Sequence, residues 1–146
     1  MSPNSDQTAT AAPRGWALAG LLGAALALGW TAVAVAFLVP AFTDSAPSTI
    51  GDGVALGIVV VGVLVLAALS TVGARAAWKY AYYDAPEEPR RLMIAALCTV
   101  VVAGWPAVGA LTRGLDGVTD PTGAGALALT ALGGATLIVM HRARTT

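Results

Sequence analysis

Four runs of the chain carry no ionisable side chain at all, and that absence constrains the fold more than any motif. Trp16–Val39, Val54–Gly73, Leu92–Leu111 and Gly123–Met140 contain no Asp, Glu, Lys, Arg or His; His141 stands just past the last of them. A bilayer hydrocarbon core about 30 Å thick needs about 20 apolar residues at 1.5 Å rise each, and every run meets that length. The reading is an all-α, integral membrane four-helix bundle, with the second helix extending to about residue 83. The chain is 57% hydrophobic and only 11% charged, which as a water-soluble domain would expose large apolar patches. No segment outside the runs is long enough for an independent soluble domain. Residues 1–13 read as a disordered cytoplasmic tail and residues 14–146 as the transmembrane domain.

The formal net charge is zero, yet the charges are unevenly placed. Arg14, Arg75, Lys79, Arg90, Arg91, Arg142 and Arg144 fall on one side of the threaded chain, and only Arg113 falls on the other. The positive-inside rule then puts both termini and the central loop in the cytoplasm. Asp44, Asp52, Asp116 and Asp120 fall in the two outer loops, where they read as solvated acids because their spacing is not that of a calcium loop. The first run is too long for the apolar core of a cleaved signal peptide and is read as a retained span. Pro40 is expected to end it.

Past Gly73 the second helix meets no breaker. Arg75, Trp78, Lys79, Tyr80, Tyr82 and Tyr83 form an interfacial belt, with Arg90 and Arg91 beyond the turn. These eight residues are the best candidate interface in the chain, for lipid head groups or for a partner, since Trp, Tyr and Arg dominate binding surfaces. The acids of residues 84–88 suit the positive N-terminus of the third helix, and Pro89 suits its first turn. Trp16 is expected at the same interface.

Small residues recur every fourth position: Gly15, Ala19, Gly23, Ala27 and Thr31 on the first helix, and Ala95, Thr99, Ala103 and Ala107 on the third. Gly53 and Gly57 add a pair on the second. In lipid, where burial of apolar surface from water no longer drives association, such ridges let helix backbones approach closely. The mid-membrane polar atoms are the hydroxyls of Thr31, Ser70, Thr71, Thr99, Thr130 and Thr136, expected to bond back to helix carbonyls. Pro106 removes the partner of the Val102 carbonyl and predicts a bend in the outer third of the third helix, opening a cleft towards the first two.

No catalytic, cofactor or metal constellation is expected. Cys98 is a lone thiol within an apolar run, and His141 lacks the second histidine or cysteine a metal site would use. The Ala-, Gly- and Val-heavy composition suggests a high-GC bacterium and hence a multi-pass protein of a bacterial plasma (inner) membrane. The expected partners are the bilayer and other membrane subunits or further copies, not nucleic acid. The functional expectation is a non-catalytic accessory or structural subunit of an envelope complex. The alternative is a small oligomeric transporter, channel or holin-like pore.

Overall fold

The computed structural model describes the backbone of residues 4–43, 50–83 and 89–145, and side chains within 14–39, 51, 53–83 and 89–145. The described residues form only helices: α1 (Asn4–Thr43), α2 (Ile50–Tyr82), α3 (Arg90–Thr112), the single-turn α4 (Leu115–Thr119) and α5 (Pro121–Thr145). Four stretches are long and apolar enough to cross a membrane: Arg14–Val39, Gly53–Tyr82, Arg90–Thr112 and Pro121–Thr145. Each contains one of the four uncharged runs, because a helix is the one extended structure that satisfies every backbone amide within its own segment.

The helix boundaries differ from expectation in three places. First, α1 begins at Asn4, inside the segment whose composition predicts a disordered tail, and it continues past Pro40 to Thr43. Asn4, Ser5 and Asp6 are residues that cap helix starts, and Ala9, Ala11 and Ala12 are strong helix formers. Near a helix end, Pro40 forfeits little more than one ladder bond. Second, Pro89 is the residue before α3 rather than part of its first turn, and its carbonyl accepts from the Leu92 amide at 3.1 Å. Arg90 and Arg91 therefore occupy the first turn; the acids of residues 84–88 lie outside the described residues. Third, the turn between α3 and α5 holds α4, entered through Gly114 at φ 71°, a left-handed conformation that costs glycine nothing. Pro121 then opens α5 at the helical position where a missing amide is harmless.

Helix α1 packs along α2 and α5, while α3 packs along α5 and less extensively along α2; α1 and α3 meet sparingly, where Trp30 reaches Thr99 and where Leu92 lies against Gly23. Two apolar clusters result. The central one joins Leu26, Trp30 and Ala34 of α1 to Val63 and Ala67 of α2, Ala96 and Ala103 of α3, and Leu129 of α5. The second lies at the end carrying the α2–α3 connection and joins Trp16, Ala19, Ala77, Leu92, Met140 and Ala143. Small residues set the spacing. On α3, Ala95, Thr99, Ala103 and Ala107 are all buried. On α1, Ala19 and Gly23 are buried, Gly15 and Ala27 are half-buried, and Thr31 is exposed. A Cβ on Gly23 would stand 3.1 Å from the Ala74 Cβ, and one on Gly15 would stand 3.0 Å from that of Ala143. The α1 ridge thus divides between two neighbours instead of facing one.

Candidate functional site

The basic and aromatic residues gather at the end where α1 begins, α2 meets α3 and α5 finishes. Contacts across that end fix the grouping: Trp16 of α1 meets Tyr80 of α2 edge-on, with ring centroids 5.0 Å apart, and the Arg144 guanidinium of α5 donates to Met93 Sδ of α3 at 3.6 Å. The belt read from the sequence therefore splits. Trp16 is only 4% exposed and Tyr80 is half-buried, so both serve packing rather than the surface. An indole and a phenol side by side fill the wide gap left between small residues such as Ala19 and Ala77.

The rest of the belt faces outward. Arg75, Trp78, Lys79 and Tyr82 are exposed and stand at i, i+3, i+4 and i+7 along α2, which places them on one face. Ala74 and Ala77, on the opposite face, are buried. Trp78 and Tyr82 form a tilted ring pair 4.9 Å between centroids. The Trp78 ring also reaches over Gly20 of α1, its Cε3 lying 3.6 Å from where a Cβ would be. The notch at Gly20 is what lets the indole lie down on α1. Tyr83, Arg90 and Arg91 are exposed as well, beside the connection to α3.

The exposed face continues along α2 as an apolar stripe through Val54, Gly57, Val61, Val65, Ala68 and Val72. No other element among the described residues comes within 4 Å of the position a Cβ would take on Gly57. Gly57 is thus open, unlike Gly23 or Gly73.

The six hydroxyls read from the apolar runs are occupied. Thr31, Ser70, Thr71, Thr99, Thr130 and Thr136 each donate to the carbonyl four residues back, at 2.7 to 2.9 Å. Ser70, Thr99 and Thr136 are completely buried. Thr99 is the exception in kind: its oxygen also accepts from Trp30 Nε1 at 2.9 Å, a polar link between α1 and α3. The sequence gives a clue to Trp30, since this tryptophan lies well inside an apolar run instead of at its edge.

At the other end, Pro106 lies within the continuous α3 and is exposed, together with Val102 and Trp105. The bundle-facing side of that turn is made by Ala103, Ala107 and Ala110. A proline on the outer face crowds the carbonyl on that same face, so any bend makes the exposed side convex and leans α3 inward. That geometry offers no support for a cleft facing α1 and α2. Pro106→Ala is expected to return an amide to the Val102 carbonyl and raise stability by about 1 kcal/mol or leave it unchanged. Thermal unfolding in detergent checks this; a clear loss would give the proline a structural task. Asp116 is exposed and Asp120 half-buried, His141 is exposed and Cys98 half-buried. The side chains of Asp44 and Asp52 lie outside the described residues.

Compared with known proteins, the chain matches no family model, no curated protein and no solved structure.

Proposed function

We propose that the chain is a multi-pass protein forming a four-helix bundle in a bacterial plasma membrane, with both termini and the α2–α3 connection in the cytoplasm. In this reading it is a non-catalytic accessory or structural subunit of a larger envelope complex. One observation carries it: the exposed stripe of α2 holds Gly57, beside which no other helix among the described residues packs. In lipid, a glycine notch on an outward face is where another helix gains contact, because dispersion between close backbones replaces the hydrophobic drive. Gly23 and Gly73 are spent on contacts inside the molecule; Gly57 is available to a second protein.

Blue-native electrophoresis of gently solubilised membranes tests the role. The wild-type chain is expected in a species larger than its monomer, and Gly57→Leu, which fills the notch, is expected to shift it to the monomer. Migration of the wild type only as a free monomer would overturn the subunit reading. Orientation is tested separately by labelling single cysteines in a Cys98→Ala background. Positions 48 and 116 are expected to react from outside, and positions 83 and 146 only after permeabilisation. Labelling of position 48 from the cytoplasm would reverse the topology.

A further inference from the structure

We propose that Arg75, Trp78, Lys79 and Tyr82 form a binding site for the phosphate of an anionic phospholipid in the cytoplasmic leaflet. This rests on α2 being a membrane span with its Tyr82 end inside, and not on the subunit role. The span Gly53–Tyr82 has 30 residues, a rise of about 45 Å against a hydrocarbon core of about 30 Å. Residues 54–73 account for the core. Arg75 to Tyr82 then climbs about 10 Å through the layer where head groups lie.

Charge decides the occupant. Arg75 and Lys79 are like charges one turn apart on an exposed face, an arrangement that weakens a helix unless an anion bridges it. Neither forms an ion pair with any described residue. The Trp78 indole N–H and the Tyr82 hydroxyl likewise have no hydrogen-bond partner among the described residues. Four donors thus line one face, two of them cationic, with nothing among the described residues to receive them. The sequence sets seven Lys and Arg at this end against Asp6, Asp84, Glu87 and Glu88, so the whole end stays net positive. A zwitterionic head group brings its own cation to such a surface, whereas an anionic one brings none.

The rings supply order. Trp78, seated on Gly20 and against Tyr82, is held as a ledge at the boundary between acyl chain and head group. A tryptophan at such a boundary offers its apolar body to the chain of the lipid and its N–H to the polar layer. Below it Val72 and Ala68 continue the exposed stripe on which an acyl chain lies.

Native mass spectrometry of the full chain, released from nanodiscs of mixed phosphatidylglycerol and phosphatidylcholine, reads the lipid retained. Phosphatidylglycerol is expected to be enriched, and the enrichment to fall as salt rises. Arg75→Gln with Lys79→Gln is expected to weaken its retention roughly fivefold per cation, about thirtyfold for the pair. Arg75→Lys with Lys79→Arg should retain it, and Trp78→Leu should lower it without removing the salt dependence. Inorganic phosphate at equal phosphorus should neither bind nor compete, because it lacks the chain that engages the ledge. Unchanged phosphatidylglycerol retention in the double glutamine variant overturns the site, as does equal retention of the two lipids by the wild type. Displacement by inorganic phosphate would also overturn the lipid assignment. A double variant that fails to insert is replaced by each single glutamine change, for which the same fivefold loss is expected. Monomeric migration on a blue-native gel leaves this result untouched, so the two proposals fail separately.

Discussion

Gly73→Ala is expected to cost about 3 kcal/mol of stability, at the upper end of what forcing one extra carbon into a packed interior does. A Cβ on Gly73 would lie 2.6 Å from the Leu92 Cα and 2.7 Å from its amide nitrogen. Those are backbone atoms, so no side-chain rotation can make room. Leu92 is itself completely buried and belongs to the cluster that joins Trp16 to Met140. It also sits one turn from Pro89, where its amide is committed to the Pro89 carbonyl. To admit the methyl group, α3 must move off α2 where their packing is closest. Unfolding followed through Cys98, half-buried on α3, gives the readout: a maleimide dye should react at a lower temperature in the variant. Gly57→Ala is the matched control, with open space around the new carbon, and is expected to be neutral or stabilising by about 0.5–1 kcal/mol. If both substitutions behave alike, the α2–α3 contact is not as close as the geometry requires.

That contrast marks where sequence reading stops. The uncharged runs locate the spans because lipid penalises any other conformation, and the penalty is written in composition alone. The extension of α2 to Tyr82 is legible for the same kind of reason, since nothing between Gly73 and Tyr83 breaks a helix. Azimuth is another matter. Around a helix that is apolar on every side, period does not say which stripe meets protein and which meets lipid, since both are apolar. The α3 ridge at Ala95, Thr99, Ala103 and Ala107 lies on the buried face, while the α1 ridge divides between α2 and α5 and leaves Thr31 outside. Gly29 and Gly73, two of the closer approaches between helices, belong to neither ridge. The same ambiguity hid the roles of Trp16 and Tyr80: interfacial aromatics are common enough that the pattern does not reveal a pair turned inward. Of the candidate interface, Arg75, Trp78, Lys79, Tyr82, Tyr83, Arg90 and Arg91 lie outside the packing, and only Tyr80 was drawn into it. Pro40 and Pro89 were misplaced by a turn or less, because proline excludes a helix interior more firmly than it fixes a helix end.

Trp30→Ala is expected to cost about 3 kcal/mol, and the reason differs from the usual one for a large buried ring. In lipid the side chain gains little by leaving water, so what its removal takes away is packing and a hydrogen bond. Trp30 is 4% exposed and belongs to the central cluster, with Val63 and Ala67 on α2, Ala96 and Ala103 on α3 and Leu129 on α5. The alanines around it are too small to close a void that size, and the cost scales with the cavity left. Its indole N–H meets Thr99 at 2.9 Å, and the threonine passes its own proton to the Ala95 carbonyl at 2.7 Å. Thr99→Val keeps the shape and removes the acceptor, leaving an indole N–H buried without a partner, at about 1–3 kcal/mol. Trp30→Phe removes the donor instead, and the threonine remains satisfied through Ala95. The asymmetry is the test: Thr99→Val should destabilise through the orphaned donor, and in a Trp30→Phe background the same substitution should cost far less. A double-mutant cycle on unfolding in detergent is expected to give a coupling of about 0.6–1.7 kcal/mol, the range seen for hydrogen bonds between helices in membranes. Zero coupling would mean that the α1–α3 diagonal is held by ring packing alone.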